Sequence, residues 1–391
     1  METLIELYDE RPLENVLAAE IFRPRRVVYL CPGRIAGNLK IQQKLRRYVQ
    51  HRGLKTELIF LRAAVYDPDS LKKLFLRVTS QYPDCCIDIT GGTDAMLFAA
   101  GLVSAEVNVP VFTYSRRNNR FYSIRNADFV AEKACDLSYS VEDCILMAGG
   151  SMRAGRVDNS ILHRYLDVID PFFQVYLKFR RQWVKAITYI QRISPGRVDG
   201  SFELKASGSY TVKGEHASRI PAPEDLLREL EDIGLISELC IVPEQTVSFR
   251  FLDGQVRSWL RDVGSVLELY VYKVCLDTGL FQDVITSAVV DWEGSGNRND
   301  VSNEIDVLCT SGITPLFISC KTCDAKTEAL NELAILRDRF GGQIARAAIV
   351  TAEKGGTPLR NRAAELGITV IDLNDLAAGK LGRRIRKLMQ G

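Results

Sequence analysis

"NEIDVLCTSGITPLFISCKT", residues 303–322, reads as two strands around a tight Ser-Gly turn. Apolar and polar residues alternate along each arm, and Ser311-Gly312 supplies the turn residues. Successive strand side chains point to opposite faces, so Glu304 and Asp306 share one face while Ile305 and Val307 share the other. On the second arm Phe317, Ser319 and Lys321 share a face. With Ser311-Gly312 as the whole loop, Thr310 lies opposite Ile313, Asp306 faces Phe317 and Glu304 faces Ser319. Opposed side chains lie about 5 Å apart at Cβ. Two carboxylates and a lysine then crowd one patch, with Ser319 between Glu304 and Lys321. Carboxylates supply hard oxygen ligands for a divalent ion, and a lysine can orient the nucleophile or stabilise the transition state. Glu268, on the preceding helix, adds another acid if that helix end faces the hairpin. The plain alternative is an exposed polar face, which strands often carry.

Around this hairpin, residues 256–391 run helix, three strands, helix, strand, helix, strand, helix. Three strands after one helix is not a nucleotide-binding order; it is the core order of restriction-endonuclease-like domains. Residues 1–135 instead alternate short apolar strands ("RRVVYLC", "KTELIFL", "CCIDIT") with amphipathic helices, which predicts a mostly parallel, Rossmann-like sheet covered on both faces. Residues 136–255 hold a long helical stretch, a polar Gly-containing stretch, the helix "APEDLLRELEDIGLI" with Pro223 near its start, and a short hairpin in "CIVPEQTVSFRFLD". Helix followed by hairpin is the order of a winged helix; a connector that packs the end domains together fits equally. The fold class is thus α/β, with a Rossmann-like domain, an α+β connector and a restriction-endonuclease-like domain.

At 391 residues two or three domains are expected. A net charge of +2 makes no global case for nucleic-acid binding, so any basic surface is local. No apolar run approaches membrane-spanning length and the amino terminus has no signal-peptide pattern, so a cytoplasmic protein with no membrane partner is expected. The ten cysteines are scattered, several within apolar strands, and read as small buried hydrophobes. "CKTC" at Cys320–Cys323 has no second pair to complete a zinc site. The three histidines, His51, His163 and His216, are too dispersed to suggest a His-rich metal site or a Ser-His-Asp hydrolase.

A second informative stretch is "CCIDITGGTDAMLFAAG", residues 85–101, where a buried strand meets Gly91-Gly92-Thr93 and a helix. Glycines admit a ligand to the backbone, and a helix start offers free N–H groups. Thr93 is equally a helix cap that needs no ligand. The loop "CPGRIAGN", residues 31–38, would place Pro32, Gly33, Arg34 and Asn38 on the same sheet edge, where open α/β sheets bind ligands. No G-x-G-x-x-G follows a strand, which argues against a dinucleotide dehydrogenase. The basic turn "SRRNNR", residues 115–120, reads as a soluble hairpin tip.

"NEIDV", "FISCKT" and the following "ELAILRDRFGGQIARAAIVT" resemble the nuclease domain of the CRISPR-associated Rossmann-fold (CARF) nucleases, the ancillary effectors of type III systems. The strand-GGT-helix stretch resembles the CARF signature. The resemblance covers both end domains in order and is least specific in the middle. It implies a PD-(D/E)xK site in which Asp306 and Lys321 match the motif and Ser319 departs from it; the register above, with Glu304 across from Ser319, makes Glu304 the candidate replacement acid. It implies Mg²⁺ or Mn²⁺ on Asp306 and Glu304, and a cyclic oligoadenylate contacting Thr90, Gly91, Gly92 and Thr93. Asp94 departs from the basic residue often found there. It also implies a prokaryotic, cytoplasmic homodimer activated by cyclic tetra-adenylate, with DNA or RNA as substrate. The competing class is a cyclic-oligoadenylate-responsive DNA-binding regulator whose nuclease core is dead.

Overall fold

The computed structural model describes residues 1–153, 157–194, 196–198, 201–214, 218–294 and 301–390. The amino-terminal sheet contains β1 (Thr3–Leu7), β2 (Arg26–Cys31), β3 (Glu57–Arg62), β4 (Cys85–Asp88), β5 (Val111–Ser115) and β6 (Arg120–Arg125), in the order β3-β2-β1-β4-β5-β6. The first five are parallel and β6 returns antiparallel. Helices α1 (Leu17–Phe22) and α3 (Leu39–His51) pack on one face, α4 (Pro68–Gln81) and α5 (Asp94–Val107) on the other. Strands covered on both faces lose the apolar-polar alternation, so every residue of β1 is buried. Side-chain caps set the helix starts: Asn38 for α3, Asp67 ahead of Pro68 for α4, and Thr93 for α5. The strand order reverses between β1 and β4, so the loops after these two strands meet at a topological switch point.

The middle segment begins with α6 (Val141–Met147), entered through a Ser140–Asp143 capping box, and β7 (Ser151–Arg153). Helices α7 (Leu166–Phe179) and α8 (Trp183–Ile193) follow. Two small hairpins, β8 (Arg197–Val198) with β9 (Ser201–Phe202) and β11 (Thr211–Lys213) with β12 (Arg219–Pro221), flank β10 (Lys205–Ser209). Then come α9 (Glu224–Asp232), β13 (Ile236–Val242) and β14 (Thr246–Phe251), with β10 completing the sheet β10-β14-β13. The helix-then-hairpin order therefore exists. Within the stretch expected to be the connector, β7 extends the carboxyl-terminal sheet and α6 packs against it. His216 lies outside the described residues.

The carboxyl-terminal part contains α10 (Gly254–Trp259), α11 (Ser265–Asp277), β15 (Asp283–Asp291), β16 (Ser302–Ser311), β17 (Thr314–Lys321), α12 (Thr327–Phe340), β18 (Arg346–Thr351), α13 (Thr357–Glu365), β19 (Thr369–Ile371), α14 (Leu373–Ala377) and α15 (Leu381–Gln390). Its sheet runs β19-β18-β17-β16-β15-β7, antiparallel from β7 to β17 and parallel from β17 to β19. One face shares a single core with α7, α8, α9 and α11; α12, α13 and α6 cover the other. Among the described residues no helix is long and apolar enough to cross a membrane.

Candidate active site and sensor edge

The β16–β17 hairpin turns one residue later than expected. Ser311 pairs with Thr314, so the loop is Gly312-Ile313, and Thr310 faces Pro315 rather than Ile313. Glycine serves a two-residue loop at either position, first in Gly-X and second in X-Gly, and here it stands first with φ +57°. The register shifts by two, so Leu308, not Asp306, faces Phe317. Glu304 consequently does not lie across from Ser319. An even shift keeps the faces of β17, which is why Ser319 and Lys321 still reach Asp306.

The β16–β17 ladder stops after Val307↔Ile318, whereas β15–β16 continues to Asp291↔Ser302 and β17–β18 to Lys321↔Thr351. The sheet forks, and Asp306 sits at the apex. Its Oδ2 accepts the Cys320 backbone N–H at 2.6 Å, the Ser319 hydroxyl at 3.2 Å and the Lys321 Nζ at 3.4 Å. A buried N–H freed from a ladder must find another acceptor, and the carboxylate supplies it. Burial pulls the Lys321 ammonium down, but the Asp306 charge, Cys320, the hydrogen bond and Glu268 outweigh it, so Lys321 titrates above its usual range. Beside Asp306, Lys321 is held as a cation and a hydrogen-bond donor. Glu268, buried near the start of α11, is close enough to act on Lys321 and Cys320.

The expected alternation also fails at this point. Ile305 packs with Leu308 and Phe317, while Val307 packs in the opposite core. Glu304 accepts a hydrogen bond from Ser287 on β15. Glu304, Asp306, Ser319 and Lys321 line one cleft of about 320 Å³, whose other wall is α12. That wall contributes Glu332, which the sequence reading missed; Asn303 donates to its Oε1 at 2.9 Å and is itself held by Trp292. Glu332 lies eleven residues beyond Lys321 on an amphipathic helix, where it looks like an ordinary solvent-facing acid.

Among the described residues no three acids, histidines or cysteines converge tightly enough to cage a metal. Mg²⁺ and its relatives are commonly held by one or two carboxylates, with water and substrate phosphate completing the shell. Asp306, whose Oδ1 takes no part in the three bonds above, and Glu304 in the same cleft suit that open kind of site.

At the switch-point edge of the amino-terminal sheet, Thr93 caps α5 by accepting Met96 N–H at 3.3 Å and donates to the Val65 carbonyl. Thr90 N–H donates to Asp88 at 2.7 Å, and Tyr114 N–H to the Thr90 hydroxyl at 2.8 Å. Gly92 has φ +92°, and a Cβ on Gly91 would meet Asp9 Cβ at 2.9 Å. Asp94 is exposed at the start of α5. Residues 31–38 are not an open loop: Pro32 caps a helical turn, α2 (Gly33–Ala36), and Asn38 spends its side chain capping α3. Arg34 is exposed and paired with Glu10.

Both stretches meet a third that the sequence reading passed over, "YDERP" at residues 8–12. Asp9 Oδ2 accepts the Gly92 N–H at 3.1 Å, and its carboxylate is gripped by Arg11 through two bonds of 2.7 Å. Burial raises the Asp9 carboxyl, but the bonds and charge of Arg11, with the Gly92 N–H, hold it below the usual carboxylate range. The available signal was positional: charged residues directly after a fully buried first strand. Beneath them Glu6 and Asp88 are neighbours across β1–β4, both buried.

Residues 256–388 match the family model of the Card1-like endonuclease domain. Can2 from Sulfobacillus thermosulfidooxidans, solved in complex with cyclic tetra-adenylate, superimposes with a TM-score of 0.73 at 17% identity, covering 100% of this chain and 98% of its own. VC1899 from Vibrio cholerae superimposes with a TM-score of 0.73 at 16% identity, covering 99% and 98%. No curated protein matches the sequence. The carboxyl-terminal third of the chain is thus a match to the Card1-like endonuclease domain, carried on a fold shared over its whole length with Can2 and VC1899.

Proposed function

We propose that the protein is a divalent-metal-dependent endonuclease switched on by a cyclic oligoadenylate in type III CRISPR defence. The carrying observation is the forked sheet, which gathers Asp306, Ser319 and Lys321 at one cleft within the endonuclease-matching domain. Asp306 and Glu304 would hold Mg²⁺ or Mn²⁺, which when bound activates water and offsets charge on the reacting phosphate. Lys321 stays protonated beside Asp306 and donates to a non-bridging phosphate oxygen, stabilising charge that grows in the transition state. Ser319 and the Cys320 N–H hold the Asp306 carboxylate in one orientation. Glu268 helps keep Lys321 charged.

The activator is cyclic tetra-adenylate, whose two-fold symmetry suits a two-fold homodimer. The Can2 fold, seen with that ligand, supports this choice. Thr90–Thr93 and the 32–38 stretch would face it, with Asp9 and Arg11 between them. Substrates are single-stranded DNA or RNA and nicked duplex DNA, with little sequence preference.

The test mixes protein and Mn²⁺ with plasmid and labelled RNA, with and without cyclic tetra-adenylate. Ligand-dependent cutting is the expected outcome, and Lys321→Ala should reduce it at least ~100-fold, the scale of losing one charge-stabilising donor. No cutting of either substrate sinks the reading. DNA binding without cutting, unchanged in Lys321→Ala, would point to the regulator instead.

A further inference from the structure

Across the β15–β16 ladder, the residue opposite Asp306 is Ser287, bracketed by the pairs Thr286↔Val307 and Ala288↔Ile305. It is 1% exposed, and its φ is +54° in the middle of a nine-residue strand. The left-handed region is disfavoured for any residue with a Cβ, and glycine would occupy it without that penalty. Residues kept in such a conformation cluster at functional sites. At Ser287 the facing of β15 changes phase: Ile285 packs on the α12 side, and so do Ala288 and Val290. The same change of phase occurs on β16 between Ile305 and Val307. The Ser287 hydroxyl, facing an acceptor-only carboxylate, donates to Glu304 Oε1.

We propose that Ser287 is a positioning residue that holds the Glu304 carboxylate in the cleft beside Asp306 as part of the divalent-ion site. Serine stands where glycine would be easier because the hydroxyl is needed: with the alternation broken between Ile305 and Val307, strand register alone no longer keeps Glu304 on the face of Asp306, and the Ser287 bond holds it in their common cleft. The inference rests on the metal-dependent reading above, and its test separates the two.

The full chain is titrated with Mn²⁺ and followed by electron paramagnetic resonance, for the wild type, Ser287→Gly, Ser287→Ala and Glu304→Gln. Groups that orient a metal ligand typically govern ~10–100-fold in metal affinity, so both Ser287 variants and Glu304→Gln should weaken Mn²⁺ binding by that order. Ser287→Gly should melt above Ser287→Ala, because only glycine relaxes the backbone. In the cleavage assay Ser287→Gly should need more Mn²⁺ for half-maximal rate yet recover near wild-type rate at saturation, a split that a purely structural role does not produce. Wild-type affinity in Ser287→Gly, with Glu304→Gln weakened, overturns the role of Ser287 and leaves the metal reading standing. No Mn²⁺ binding by the wild type overturns both.

Discussion

Asp88 and Glu6 lie side by side under the Gly91-Gly92 turn with almost no exposure to water. Burial pushes the Asp88 carboxyl up to about 7, and burial with the Asp88 charge pushes Glu6 well above the carboxylate range. Glu6 has neither oxygen hydrogen-bonded, whereas Thr90 donates to Asp88. A carboxyl whose folded pKa is raised stabilises the fold below its unfolded pKa of 3.8, and that contribution is lost as pH rises through about 7. Asp88→Asn keeps an acceptor for Thr90 and removes the buried charge. It should melt higher than wild type at pH 8, by roughly 2–4 °C per kcal/mol gained, and the gap should close as pH falls from 7 towards 4. Paired melts across that range check this; a gap independent of pH contradicts it. At this scale Asp306 and Lys321 were legible because their residue types and spacing carry their chemistry. Asp9, Glu332 and Ser287 were not, since an acid after a strand, an acid on a helix and a serine in a strand are each ordinary until the backbone places them.

The hairpin β16–β17 shows how an element can be read correctly and still be misaligned. Its two strands and its two-residue loop were predicted; the loop position was off by one and the register by two. Gly312 is the reason, because its φ of +57° makes it the first loop residue. Space is not the constraint there, as an added Cβ would find only the Leu137 carbonyl at 3.8 Å. Gly312→Ala should therefore lose about 1–2 kcal/mol through conformation alone, visible in thermal or urea melts. Gly312→Asn, which tolerates the left-handed region, should lose less. Equal losses for the two would show that conformation is not the cause. A second element-scale expectation concerns the turn after β4. Asp9→Asn takes negative charge away from the Gly92 N–H, so cyclic tetra-adenylate should bind more tightly, by roughly 3–10-fold for 0.7–1.4 kcal/mol of relieved repulsion. Calorimetric titration checks it, and weaker binding would mean that Asp9 supports the ligand rather than competing with it.

At the scale of the whole molecule, the amino-terminal sheet and the endonuclease-matching part are joined by polar contacts around the β16–β17 hairpin. Arg116, in the turn expected to be a soluble tip, pairs with the buried Glu14 and donates to Gln343 at 2.6 Å, just past α12. Tyr139 N–H donates to the Gly312 carbonyl at 3.0 Å, and Gln282 brackets the same glycine from both sides. Arg47 on α3 reaches the Gly294 and Gly150 carbonyls. Arg11, the partner of Asp9, lines one cavity together with Arg116 and with Ile313 and Pro315 at the tip of the β16–β17 hairpin. Arg116→Ala should leave cyclic tetra-adenylate affinity within about twofold. It should lower ligand-stimulated cleavage by a coupling of about 0.5–2 kcal/mol, read by comparing calorimetry with cleavage rates. Equal loss of binding and cleavage would place Arg116 in the ligand site rather than between the sites.

The parallel-type strand pattern of residues 1–135, the three-strand run after α11, the acid and Ser-x-Lys pair, and the GGT turn were all in the sequence, because hydrophobic periodicity and turn chemistry are local properties. Where β16 parts from β17, which acid faces which strand, and how Asp9 comes to occupy the Gly92 N–H depended on the tertiary structure. Each arises where strands distant in sequence, or a loop from another strand end, compete for the same backbone hydrogen bonds. Ser319 therefore stands opposite Asp306 itself, and any acid that makes up for it comes from Glu304 or α12 through packing that no single stretch of chain encodes.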